Sequence, residues 1–355
     1  MNNMDDLTHP GRFEAHPVLK EIDDMPAQLW LAWERGQSLP LPAWTGIRQV
    51  VLCGVGGSAM AGELLQAYAA LRGPVPVAVW RDYDLPAWAS GPESLVVLLS
   101  HSGEEEEVHS SLGRALERGC RCLIVGAGGG LAQIAQKAGA ACWLYPDEGW
   151  LYEPLGWIFG CAAAALFRLR LLPEIGIELS GAVQAMRLQQ ASIRVEVAAI
   201  GNPARRMAGQ MMGRWVTVVG SGVLAPAARH WQNQIARLAK TWVQVEFLPE
   251  MDHTLLGSVL QPDSMLSSTM IVFLRGSSGS PRNQLRGNLT KQAFMLEGLG
   301  TDFVDAAGET PLAQQWTSLH FGNYTAYYLA LAYGVDPAPS PTIELFKREM
   351  AAAGK

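Results

Sequence analysis

The stretch Val50–Leu65, VVLCGVGGSAMAGELL, decides the fold of this chain. It opens with an apolar run of the kind found in strands buried on both faces. The turn GVGGS interrupts that run, and AMAGELL then takes up helical spacing. A strand that ends in a Gly/Ser turn and enters a helix points backbone N–H groups at one spot, which favours an anion. Gly56 and Gly57 lack the Cβ that would keep a ligand away from the backbone. Ser58 is placed to cap the following helix. A plain tight turn with its cap would use the same residues. The segment is not a dinucleotide fingerprint, because the third glycine of GxGxxG is missing at its offset. The next strand region, VAVWRDYD, also presents an arginine before any acidic ribose reader.

A second segment, LVVLLSHSGEEEEV (Leu95–Val108), repeats the arrangement with Ser100 and Ser102 in its turn. Ligands of open parallel sheets bind beyond the carboxyl ends of the strands. Ser58, Ser100 and Ser102 are expected to converge there, and hydroxyls with backbone amides suit a phosphate on a small polar molecule. Glu104–Glu107 run against this, because they put four carboxylates where the anion would sit. A carboxylate ~4 Å from a phosphate charge costs roughly 4 kcal/mol at an effective dielectric near 20. That is about three powers of ten in affinity. Acidic residues also suit the first turn of a helix through its dipole, which accounts for most of the four.

Outward from these segments the pattern continues. Strands are expected at Val75–Trp80, Arg121–Val125 and Cys142–Tyr145, with GAGGG and a short helix between the last two. Gly149 to about Ala208 reads as helical with a break near Leu172-Pro173. Further strands are expected at Trp215–Val219, Gln244–Phe247, Ser268–Leu274 and Thr301–Val304, and a long apolar helix at Thr317–Tyr333. Alternating strands and helices imply an α/β fold of parallel sheets flanked by helices on both faces. The recurrence of strand, Gly/Ser turn and helix in both halves reads as an internal duplication. The expected organisation is a peripheral helical segment at 1–45, a first domain at 46–172, a helical connection at 173–208, and a second domain with C-terminal helices at 209–355.

Composition narrows the function classes. The chain has 355 residues, 49% hydrophobic and 17% charged, with a net charge of −6. This is a well-buried globular composition. It offers no basic stripe for nucleic acid and no uncharged run long enough to span a membrane. The polar start MNNMDDLTHPGRFEAH has no apolar core of a secretory signal, so a cytoplasmic location is expected. The five cysteines read as reduced and mostly buried. Cys120-Arg-Cys122 has the wrong spacing for zinc, and no metal or cofactor is implied.

These residues resemble the sugar isomerase (SIS) domain family, and within it the bifunctional phosphoglucose/phosphomannose isomerases. The resemblance rests on GVGGSAMAGELL, SHSGEEEE, LPEMDHTLLG and YYLALAYGVDPAPSPTIELFK, which together span from about residue 45 to the end. It implies two SIS-type domains per subunit, a homodimer, and a sugar or sugar phosphate as ligand. The reaction it implies is aldose–ketose interconversion through a cis-enediol, which needs a group to open the ring and a base to move a proton between C1 and C2. Carried over, Gly56, Gly57, Ser58, Ser100 and Ser102 are substrate-binding. His253 corresponds to the ring-opening histidine and Lys347 to the C-terminal lysine near the substrate.

Three positions depart from the family. Glu105 stands at a phosphate-binding threonine. Tyr152 falls where an active-site arginine is expected. Arg237 falls where the family places its catalytic glutamate, and arginine does not act as a base in a protein. Glu250 and Asp252 flank His253 and could replace the lost carboxylate. The residues therefore leave three readings open: an isomerase with a rearranged site, a non-catalytic sugar-phosphate-binding member, and an isomerase acting on a differently charged sugar.

Overall fold

The computed structural model of the protein describes residues 17–258, 261–338 and 340–353. The secretory-signal reading of the first sixteen residues lies outside them. The chain divides into two compact units. One comprises Asp24–Met186 and Gly308–Trp316; the other comprises the residues up to Asp23, Arg187–Ala307 and the residues from Thr317 on.

The first of these units is built on five parallel strands: β1 (Gln49–Cys53), β2 (Val77–Trp80), β3 (Ser94–Ser100), β4 (Arg121–Gly126) and β5 (Ala141–Leu144), in the order β2-β1-β3-β4-β5. Every residue of the central strand β3 is buried. This is why its sequence runs Leu-Val-Val-Leu-Leu without alternation: both faces are covered. One face holds Val51, Cys53, Val96, Leu98 and Ile124 against Val108, Leu112 and Ala115 of α3 (Glu106–Glu117) and Leu131 and Ala135 of α4 (Gly129–Lys137). Burying each large side chain of this kind contributes about 1.5–3 kcal/mol. The other face receives α2 (Gly56–Arg72), which comes close at Gly62, where an added Cβ would touch Leu52, Leu99 and Val79.

The N-terminal helix α1 (Pro17–Ser38) is not peripheral, contrary to the expectation from sequence. Its Leu29 and Ala32 are fully buried. They lie against α5 (Leu155–Arg168), whose Gly156 and Gly160 have no room for a Cβ: one would stand 2.8 Å from the Leu29 nitrogen, the other 2.6 Å from the Ala32 Cβ. Small residues at 156 and 160 let two backbones approach closely, and this long-range fit is invisible to local periodicity. The expected helical stretch from Gly149 is likewise three helices: α5, α6 (Gly176–Ile193) and α7 (Pro203–Met211). Asn202 caps α7, its side chain accepting from the Ala204 and Arg205 N–H groups, so the chain breaks there as well as near Pro173.

The second unit repeats the pattern with β6 (Trp215–Gly220), α8 (Ala225–Leu238), β7 (Val243–Phe247), a four-residue helix α9 (Asp263–Leu266), β8 (Thr269–Arg275), α10 (Pro281–Leu296) and β9 (Gly300–Asp305). Its parallel order, β7-β6-β8-β9, is that of the first sheet without the fifth strand. The apolar helix α11 runs Pro311–Tyr333, beginning earlier than its apolar stretch suggested, and α12 spans Pro341–Ala353. All five cysteines are free thiols. Among the described residues no helix is long and apolar enough to cross a membrane.

Candidate functional site

Because β1 pairs with β3 in parallel, Cys53 lying opposite Leu98, the GVGGS and SHSG turns leave the sheet side by side. Gly54 is pressed against β3: a Cβ there would be 2.9 Å from the Leu99 carbonyl oxygen. Gly56 has φ +55°, a conformation glycine adopts without strain. Helix α2 begins at Gly56, with Val55 at the N-cap and no side chain capping it. Ser58 is therefore not the cap but sits inside the first turn. It is 2% exposed, and its hydroxyl has no hydrogen-bond partner among the described residues.

The side chain of Glu153 covers this turn. A Cβ on Gly57 would meet its Oε2 at 2.8 Å, and one on Gly56 would meet its Oε1 at 3.2 Å. The amino end of α2, where unpaired N–H groups favour an anion, thus has a carboxylate of the protein's own lying against it. Tyr152, the neighbouring residue singled out in the sequence, is buried.

The second turn is also filled from within. Glu105 is the N-cap residue of α3. Its carboxylate accepts from both serines: from Ser100 Oγ through Oε2, and from Ser102 Oγ through Oε1 at 3.0 Å. Ser100 Oγ in turn accepts from the Gly103 N–H at 2.7 Å. Two other carboxylates of the run have separate partners. Glu104 accepts from the Gly130 N–H at 2.7 Å, capping the amino end of α4. Glu106 accepts from the Tyr83 hydroxyl at 3.2 Å. Only Glu106 and Glu107 lie in the first turn of α3, so helix-dipole preference accounts for half of the run.

Glycines hold the turn in place. Gly103 (φ +75°) and Gly129 (φ +74°) bring two turns into backbone contact. A Cβ on Gly103 would stand 2.1 Å from the Gly128 carbonyl oxygen, and one on Gly129 2.1 Å from that of Ser102. His109 Nε2 lies 2.7 Å from the Gly103 carbonyl oxygen and ties the same loop to α3.

An aromatic stack lies beside the two turns. The rings of His101 and Tyr145 stack with centroids 6.0 Å apart, and Tyr145 and Trp157 follow at 5.9 Å. His101 Nδ1 is 3.3 Å from the Tyr145 hydroxyl. Burial raises the Tyr145 phenol well above its ordinary pKa, and Cys161, Glu105 and Glu153 push it the same way. Both carboxylates are thus close enough to act on Tyr145, which stays protonated as a neutral donor. His101, Tyr145 and Glu153 were not singled out from the sequence. The only hint was position: His101 lies between Ser100 and Ser102, Tyr145 ends an expected strand, and Glu153 follows Tyr152.

The remaining candidates belong to the other unit. Arg237 lies in the last turn of α8 and is half-buried. Glu250 and His253 fall in a short 3-10 turn and are exposed. Asp252 is committed elsewhere, accepting from Arg286 at 2.8 Å and from Thr290 Oγ1 at 2.8 Å. Lys347 lies on α12, 70% exposed and 4.0 Å from Glu344. This unit also holds a cavity of about 360 Å³ bounded by Trp215, Thr217, Gln244, Met265 and Phe294. It lies against the amino-terminal halves of β6, β7 and β8, away from their carboxyl ends.

Residues 200–350 match the bacterial phospho-glucose isomerase C-terminal SIS domain. A bifunctional phosphoglucose/phosphomannose isomerase from Caldicellulosiruptor bescii is 26% identical over 336 residues, 94% of this chain and 99% of that protein. One from Aquifex aeolicus is 24% identical over 308 residues, 86% of this chain and 91% of that protein. Tagatose-6-phosphate ketose/aldose isomerase from Escherichia coli superposes with a TM-score of 0.69 at 15% identity, covering 92% of this chain and 95% of that one, a likeness of fold.

Proposed function

We propose that this chain belongs to the sugar isomerase (SIS) domain family and is a sugar-binding protein of the aldose–ketose isomerase type with an altered active site. The observation that carries the reading is the adjacency of the GVGGS and SHSG turns at the carboxyl ends of β1 and β3. This edge combines backbone amides with the hydroxyls of Ser58, Ser100 and Ser102, a set suited to a polyhydroxylated ligand. In this reading Gly56, Gly57, Ser58, Ser100, Ser102, Glu105 and Tyr152 contact the sugar. From the resemblance alone, His253 is the candidate for ring opening, Glu250 and Lys347 are further catalytic candidates, and Arg237 is a substrate-binding candidate. The relatives named phosphoglucose/phosphomannose isomerase support the reaction type. The unit of function is a cytoplasmic homodimer, a reading that rests on family resemblance.

A second reading, binding without turnover, is favoured by one residue. By the family resemblance Arg237 falls where the catalytic glutamate is expected, and an arginine side chain offers only donors, with no acceptor to take up a proton. Proton NMR of hexoses and hexose 6-phosphates incubated with the protein in deuterated water separates the two. Interconversion of an aldose–ketose pair with deuterium entering at C1 or C2 supports the isomerase. Saturable binding with no exchange into any sugar selects the binding protein and refutes catalysis.

A further inference from the structure

The carboxyl edge of the first sheet offers two places for an anion, and a carboxylate of the protein occupies each. Glu105 holds both turn hydroxyls, Ser100 and Ser102. Glu153 lies against Gly56 and Gly57 at the amino end of α2. The two reach this edge by different routes. Glu105 is local to its turn, whereas Glu153 is supplied from the segment before α5, remote in sequence from the glycines it covers. A third carboxylate, Glu104, caps the next helix along the same edge. Three successive βα turns along this edge therefore each carry a carboxylate of the protein.

We infer that Glu105 and Glu153 are resident counter-anions that set specificity, so that this edge receives a sugar carrying no phosphate. The inference rests on the proposed function and names the substrate class of the same site. A phosphate entering the serine turn would have to displace Glu105 from two hydroxyls or share them with it. At ~4 Å the repulsion amounts to about three powers of ten in affinity. At the glycine turn, Glu153 denies the backbone amides to a second anion by occupancy as well as by charge. A neutral hydroxyl meets neither barrier. It can donate to either carboxylate and accept from a serine, and such charge-assisted hydrogen bonds are the stronger kind. Ser58 adds an independent sign of a missing ligand group. Its hydroxyl is buried in the same turn without a partner among the described residues, a condition that costs free energy unless something bonds it.

The test is calorimetric titration of the full chain with inorganic phosphate and with a panel of hexoses and their 6-phosphates. Wild type is compared with Glu105→Gln, Glu105→Thr and Glu153→Gln. Glu105→Gln keeps an acceptor for the serines and removes only the charge, so it guards against a folding defect. The expected result is a wild type that binds at least one unphosphorylated hexose and takes neither inorganic phosphate nor the matching 6-phosphate. Phosphate affinity should then rise by about 1000-fold in the Glu105 variants and further when Glu153→Gln is added. The inference is overturned if wild type binds the 6-phosphate at least as tightly as the parent sugar. It is equally overturned if the variants leave the ratio of the two affinities unchanged, or if no unphosphorylated hexose binds wild type. Turnover of a hexose 6-phosphate by wild type sinks this inference and leaves the proposed function standing. Binding of no sugar of either kind to any of the proteins sinks both.

Discussion

Gly103→Ala should be among the most damaging single-methyl changes in the chain, and the structure allows its cost to be divided. Two separate terms act at this position. Gly103 has φ +75°, and a side chain in the left-handed region costs about 1–2 kcal/mol. The new Cβ would also stand 2.1 Å from the Gly128 carbonyl oxygen, which is backbone and cannot swing aside. Relieving such an overlap moves one turn off the other, a strain of about 1–3 kcal/mol. The shift pulls the Gly103 N–H away from Ser100 Oγ, and a buried bond lost in this way costs about 1 kcal/mol more. The sum is roughly 3–6 kcal/mol. Gly119→Ala is the matched control. Gly119 has φ +67° but nothing lies within 4 Å of its would-be Cβ, so it carries the backbone term alone, about 1–2 kcal/mol. Urea unfolding of wild type and both variants, read by circular dichroism, measures the difference. A Gly103→Ala loss equal to that of Gly119→Ala would refute the claim that the two turns are packed backbone to backbone.

Three further outcomes are expected. Ser100→Ala leaves the Gly103 N–H and one oxygen of Glu105 without their shared hydroxyl, and should cost about 1–3 kcal/mol in the same urea assay. Burial lowers the His320 pKa to about 4, its bond to the Ile22 carbonyl only partly opposing this, so the unfolded chain binds the proton more readily than the folded one. The sign follows: stability contributed by neutral His320 is fully present above pH ~6.5 and is lost as pH falls towards 4, by about 3 kcal/mol across that window. Melting temperatures at pH 7 and pH 4.5 should show the fall, and it should be shallower in His320→Gln. Cys53, Cys122 and Cys161, whose thiols burial pushes up to about 12, should resist iodoacetamide at pH 8 in the native protein and react after unfolding in guanidinium.

The fold was largely legible because a parallel sheet leaves a coarse signal. The runs around Val50, Leu95, Arg121 and Trp215 are largely apolar, and each ends at glycine or serine. The candidate site was legible only where its parts are local. Ser100, Ser102 and Glu105 sit within six residues and could be read as one turn. Whether Glu105 faced a ligand or its own serines could not be read, because that depends on a rotamer. Glu153 was missed for a different reason. Its neighbour Tyr152 drew attention through the family pattern, while nothing near Glu153 announces that its carboxylate reaches Gly57. The packing of α1 on Gly156 and Gly160 was hidden in the same way: a small residue signals close approach only once its partner is known.

The discontinuous make-up of the two units bears on how the chain is made. The five-stranded unit contains Gly308–Trp316, which leaves the ribosome roughly 130 residues after Met186. In that segment Gln315 Nε2 donates to the Leu64 carbonyl at 3.1 Å, and the Trp316 ring meets Phe159 edge-on at 5.1 Å. At translation rates of about 5–20 residues per second the gap lasts roughly 6–26 s. Through that interval the apolar residues of α5, Phe159 among them, wait without their last cover. A nascent chain stalled before Trp316 should therefore recruit trigger-type chaperones at α5, and one released beyond it should not.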